Sequence, residues 1–86
     1  MQSMPAYPVT CTCGATARFK IAAEWSDGTT RELKTYYLSC SDCLPTHFQK
    51  AGPKQRACRL TPGETLAPPS IYELANRQLI RRRDLE

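Results

Sequence analysis

Residues 11–25 read CTCGATARFKIAAEW, and two features of this stretch decide the fold: a cysteine pair closed by glycine, and a strict alternation behind it. From Ala15 to Trp25 every odd position is apolar (Ala15, Ala17, Phe19, Ile21, Ala23, Trp25), whereas the even positions are polar apart from Ala22. A period of two marks a strand with one face in a core. Ser26-Asp27-Gly28-Thr29 follows, and Asp-Gly between two such runs predicts a hairpin because glycine takes positive φ without steric cost. The return strand, Arg31 to Ser39, is less regular, with Leu33 and Tyr37 in one parity and Tyr36 and Leu38 in the other. A bulge near Lys34-Thr35 would put Leu33, Tyr36 and Leu38 together on the inward face.

Such a hairpin joins its own ends, and both ends carry cysteines. Cys11 and Cys13 precede the first strand, Cys40 and Cys43 follow the second, and 26 residues separate the pairs. A structural zinc site takes four soft ligands in a tetrahedron, and close pairs on tight turns supply them at small entropic cost. Cys40-Ser-Asp-Cys43 has the usual spacing. Cys11-Thr-Cys13 is one residue shorter, and Gly14 stands where a knuckle needs a residue without Cβ so that amides can turn toward the sulfurs. A disulfide inside C-x-C would close a small strained ring. Thioredoxin-like redox pairs sit at a helix start in a βαβ setting that is missing here, so a thiol redox protein stays a remote alternative, carried by Cys40 and Cys43 ahead of a helix.

The candidate metal ligands are thus Cys11, Cys13, Cys40 and Cys43 around one structural Zn2+. His47, four residues after Cys43 on the same helical face, is a substitute ligand should the short knuckle fail to present both sulfurs; its plainer reading is a surface histidine near the site. Cys58 lacks a paired neighbour and reads as a small apolar residue. Four thiolates close a metal site and leave no water to activate, and Cys58 and His47 form no nucleophile arrangement with a third orienting group. The expectation is a non-enzyme.

The order C-x-C-G-x-x-A, strand, Asp-Gly turn, strand ending Tyr37-Leu38-Ser39, then C-x-x-C-L leading into a helix resembles a treble-clef or zinc-ribbon module. In particular it is similar to the N-terminal four-cysteine zinc finger of the bacterial activator proteins of protein-arginine kinase. The resemblance spans residues 11–51 and implies Cys11, Cys13, Cys40 and Cys43 as ligands and a role in protein contacts. The first knuckle is one residue shorter than in that family, and the tail carries nothing of those activators.

The rest of the chain divides around this module. Residues 1–10 read as a flexible N-terminus. Leu44 to Ala51 reads as a short helix with Pro45 in its first turn, stopped by Gly52-Pro53. Residues 52–69, with four prolines and two glycines, read as a Pro-rich connector. Ser70-Ile71-Tyr72-Glu73 matches a capping box, and Ile71, Leu74, Ala75 and Leu79 form a helical stripe, so 70–84 is expected to be a C-terminal helix. Leu85-Glu86 matches a cloning remnant. The fold class expected is small α+β: a zinc-stabilised hairpin plus short helix, with that C-terminal helix.

Composition agrees with a stapled fold. The chain has 86 residues and 41% apolar residues, and chains this short bury only about 60% of their unfolded surface, so metal or a partner is expected to supplement the core. No signal peptide and no apolar run of membrane length stand in the sequence, which points to the cytoplasm; five cysteines in a reducing compartment favour metal over disulfides.

Two classes of partner stay open. Residues 1–43 balance four basic against four acidic side chains, whereas 44–86 hold eight against four. Lys50, Lys54, Arg56 and Arg59, and again Arg81, Arg82 and Arg83, suggest nucleic acid, with Trp25, Tyr36 or Tyr37 stacking on bases. Against it, four thiolates with one dication carry −2 and leave the whole chain at +2. Trp25, beside the hairpin tip, would anchor a protein partner if the small module leaves it exposed. Adaptor or regulatory protein contact is the first expectation and nucleic-acid binding the second.

Overall fold

The computed structural model describes residues 9–75 and 78–86; residues 1–8, most of the expected flexible N-terminus, and Asn76 and Arg77 lie outside the described residues. Strand β1 (Phe19–Ser26) pairs antiparallel with β2 (Arg31–Ser39) as the alternation requires. The Asp27-Gly28 turn joins them with Gly28 at φ +91°, and the Asp27 carboxylate accepts from the amides of Thr29 at 2.8 Å and Thr30 at 2.6 Å. Phe19, Ile21 and Ala23 are buried, as their parity predicts, and Ala22 on the other face is also fully buried.

The bulge exists, one residue beyond its expected place. Pairing runs Ser26↔Arg31 to Ala22↔Thr35, then resumes as Ile21↔Tyr37 and Phe19↔Ser39, which leaves Tyr36 as the extra residue. Directly opposed residues share a face, so this shift turns Tyr37 and Ser39 toward the Phe19–Ile21 side. Leu33 and Leu38 therefore face the opposite side, opposite Glu24 and Lys20, which corrects the expected inward set.

Helix α1 spans Leu44–Arg56 and packs on β1 and β2 through Leu44, His47 and Ala51. It runs through Gly52-Pro53 rather than stopping there. Proline clashes with the Cβ of the residue before it when that residue is helical, and Gly52 has none. The chain then reaches a short β3 (Thr65–Leu66), which pairs with Trp25 and Ser26. Trp25 is accordingly half-buried, with the Gln55 side chain donating to the Leu66 carbonyl nearby at 3.1 Å.

The C-terminal helix is not formed. Ser70–Ala75 is strand β4 and Gln78–Arg81 is β5, giving a sheet ordered β2-β1-β4-β5, and only Arg83–Leu85 makes a single 3-10 turn. A central strand needs partners on both edges, and β4 fills the second edge of β1 with Ile71 opposite Ile21 and Glu73 opposite Phe19. The residues of the apparent capping box are used otherwise: the Ile71 amide donates to Glu86 Oε2 at 2.8 Å, and Glu73 accepts from Arg82 at 2.7 Å. Leu85 and Glu86 are thereby in contact with the sheet. The core is the cluster Phe19, Ile21, Leu44, Ala51 and Ile71, with Tyr36, Tyr37 and Phe48 against it.

Because Ile71 is 1% exposed and Leu79 is 40% exposed, Ile71→Ala is expected to lower unfolding free energy by about 2–5 kcal/mol and Leu79→Ala by less than about 1 kcal/mol. Denaturant titration of the two variants checks this, and equal losses would contradict the strand assignment.

Candidate metal centre

The first knuckle is built by backbone bonds. Thr10 and Thr16 form a bridge, the Cys11 amide donates to the Ala15 carbonyl at 2.8 Å, and the Gly14 amide donates to the Cys11 carbonyl at 2.9 Å. This turn needs Gly14 at φ +96°, a conformation strained for residues with a Cβ. Val9 also belongs to it, since its carbonyl accepts from the Ala17 amide at 2.7 Å. The second knuckle follows β2 and ends as the N-terminus of α1, with Cys43 in the capping position. A hydrogen bond from the Arg18 amide to the Ser39 carbonyl at 2.9 Å ties the two ends together.

The four sulfurs of Cys11, Cys13, Cys40 and Cys43 all lie within 4.8 Å of one another, and those of Cys13 and Cys40 are 3.6 Å apart. Four sulfurs about 2.3 Å from a common tetrahedral ion sit about 3.8 Å apart, so the set fits one metal ion such as zinc with small adjustment. Cys11 and Cys40 are buried, Cys43 is half-buried and Cys13 is exposed, which leaves a path for an ion to enter. All five cysteines are free thiols.

Electrostatics within the set are uneven. The Cys13 and Cys40 amides favour the Cys11 thiolate, with help from neighbouring thiols, and bring its pKa down to about 6. Cys13 is raised: the Ala15 amide favours its thiolate, but contacts with Cys40 and Cys11 outweigh it. Hydrogen bonding with the Cys40 and Cys13 sulfurs, reinforced by burial, pushes Cys43 up to about 12. The lowering at Cys11 and the raising at Cys13 and Cys43 follow from sulfurs held close enough to share hydrogen bonds, where several negative charges together would repel.

His47 lies outside the four-cysteine set and, contrary to the plainer expectation, is not a surface residue. It is 6% exposed, its Nδ1 is 2.8 Å from Ser39 Oγ and its Nε2 is 3.3 Å from Thr12 Oγ1. Its ring stacks on Tyr37 at 4.5 Å between centroids. The sequence offered no sign of these contacts, which join residues 8 and 35 positions apart. Cys58 lies outside the four-cysteine set and is half-buried, with the Lys34 ammonium donating to its sulfur at 3.2 Å.

The partner-binding candidates are dispersed. Lys54 lies 4.6 Å from the Tyr37 ring centroid, and Lys50, Arg56 and Arg59 are exposed on or after α1. Arg81 is engaged twice by Glu86 at 2.8 and 3.0 Å, and Arg82 by Asp84 and Glu73. Of the C-terminal arginines, Arg83 alone has no ion pair among the described residues. Missed by sequence reasoning is an open apolar groove of about 730 Å³ beside the second knuckle, lined by Phe19, Leu44, Pro45, Phe48, Ile71 and Leu85, with Ser41 at its edge. No helix among the described residues is long and apolar enough to cross a membrane. Compared with protein-family models, with curated proteins and with solved structures, the chain matches none.

Metal ligation requires thiolates, so at pH 7 an incoming ion must expel at least the protons of Cys13 and Cys43, and lower pH must weaken binding. Two protons released per ion correspond to an affinity that falls about a hundredfold per pH unit. Zinc titration in buffers of different ionisation enthalpy is expected to register that release; binding without pH dependence would contradict it.

Proposed function

We propose that this chain is a non-catalytic zinc-binding module whose single structural ion holds a surface for contact with another protein. The convergence of four sulfurs from both ends of the β1–β2 hairpin carries this reading. With four thiolates around it the ion has no free position, so it supplies cross-linking rather than chemistry on a bound water. An ion bound only by the folded chain adds its binding energy to folding.

The groove supports a protein partner over nucleic acid. Phe48, Pro45 and Leu85 present an apolar surface next to the knuckle, the type of surface that accepts apolar anchor side chains. For nucleic acid the structure removes part of the case: Arg81 and Arg82 are already paired, Tyr37 is engaged by His47 and Lys54, and Tyr36 buries its hydroxyl. The resemblance to the zinc module of the kinase activators agrees with a contact role, and the partner is defined here only as a protein with an exposed apolar segment.

Elemental analysis is expected to give one zinc per chain, lost in Cys11→Ser and Cys40→Ser but kept in Cys58→Ser; iron in its place, or retention in the first two variants, would overturn the site. Phe48→Lys is expected to abolish capture of a partner while leaving zinc content and circular dichroism unchanged. Binding of a generic oligonucleotide at low salt, weakening steeply as salt rises, would instead favour the nucleic-acid reading.

A further inference from the structure

Beyond the sulfurs, one side chain touches both knuckles. Ser39 Oγ donates its only proton to the Cys40 carbonyl at 2.9 Å, so the 2.8 Å contact with His47 must be Nδ1–H donating to Ser39 Oγ. In a neutral ring Nε2 is then an acceptor, and the Thr12 hydroxyl donates to it at 3.3 Å. Thr12 is the one residue between Cys11 and Cys13, while Ser39 adjoins Cys40. The His47 amide meanwhile donates to the Cys43 carbonyl at 2.9 Å. Tyr37, stacked parallel within 7°, fixes the ring plane, and the Tyr36 bulge is what turns both Tyr37 and Ser39 to this side.

We propose that His47 is a positioning residue of the metal centre, a strut that locks the first knuckle through Thr12 and the second through Ser39, and so sets how tightly and how long the ion is held. The inference rests on the four-cysteine reading and adds a residue that binds no metal itself. It also gives the short C-x-C knuckle a reason: a single spacer residue carries the hydroxyl that His47 grips. Groups that orient ligands from outside the coordination sphere typically contribute about 10- to 100-fold in metal affinity.

The test uses the full chain with cobalt(II) and zinc(II), measuring affinity by competition with a chromogenic chelator and the rate of metal loss to excess chelator. His47→Phe keeps the ring and its stacking but removes both hydrogen bonds, and is expected to weaken affinity about 10- to 100-fold with the cobalt–thiolate absorption retained. Thr12→Val is expected to cost part of that loss alone and nothing further in the His47→Phe background, because the two act through one bond. His47→Asn, which can still donate to Ser39 Oγ, is expected to recover part of the affinity. Unchanged affinity in His47→Phe, or additive losses in the double variant, would overturn the strut while leaving the four-cysteine site standing. A changed pattern of cobalt d–d bands in His47→Phe, with the thiolate charge-transfer absorption still present, would overturn it in the other direction, by making His47 a ligand. Failure of the unaltered chain to bind either ion would overturn the metal centre and the strut together.

Discussion

Two cysteine pairs meet because one antiparallel hairpin returns the chain to its starting point, and the remaining architecture depends on that closure. The Asp27-Gly28 turn fixes one end of the ribbon and the sulfur cluster the other. Between two fixed ends the number of residues on each strand must match, and β2 carries one too many. The bulge at Tyr36 takes up the excess. Without it the pairing from the turn would set Leu38 opposite Phe19 and turn Ser39 outward; with it, Ser39 and Tyr37 face α1 and meet His47. A one-residue irregularity thus places the hydroxyl and the ring that order the surroundings of the site.

The parts legible in the sequence were those in which a local pattern and its tertiary use coincide. Alternation from Ala15 to Trp25, the Asp-Gly turn, the parity conflict in β2 and the four candidate ligands are each written within a few residues. The C-terminal segment misled for a physical reason. Ile71, Leu74, Ala75 and Leu79 fit a helical stripe, but Ile71, Glu73 and Ala75 also fit one face of a strand, and a short apolar run does not choose between periods. The free edge of β1 chooses. Its unpaired backbone groups are satisfied only by an extended neighbour, and Pro68-Pro69 already sets the chain extended on entry. His47 was invisible for a related reason: its partners lie in other elements, and nothing in its immediate neighbours distinguishes a buried bridge from a surface histidine.

Charge followed the same rule. A run of three arginines in sequence looks like a binding patch, yet Glu73 from β4 and Glu86 just after the 3-10 turn pair with Arg82 and Arg81 once the chain folds. These pairs are partly exposed and each contributes no more than about 1 kcal/mol, but they remove charge from the surface whatever their contribution to stability. Among the described residues, the basic side chains without ion pairs on and just after α1 are Lys50, Lys54, Arg56 and Arg59, and α1 is the element that the second knuckle begins.

That shared element joins the metal to the surface. Cys43 stands at the N-cap position of α1, Leu44 and Pro45 open it, and the same two residues line the apolar groove with Phe48, Phe19 and Ile71. Part of that lining is carried by a helix whose first turn lacks acidic residues and any side-chain cap, so little in the helix itself fixes where it starts. His47 ties the next turn to Ser39, and an ion held by Cys40 and Cys43 would supply the rest of that fixed point. In this arrangement the groove keeps its shape only while the knuckle does. On the proposed reading, an ion held by the four sulfurs would bear on recognition through the angle at which the helix leaves its site.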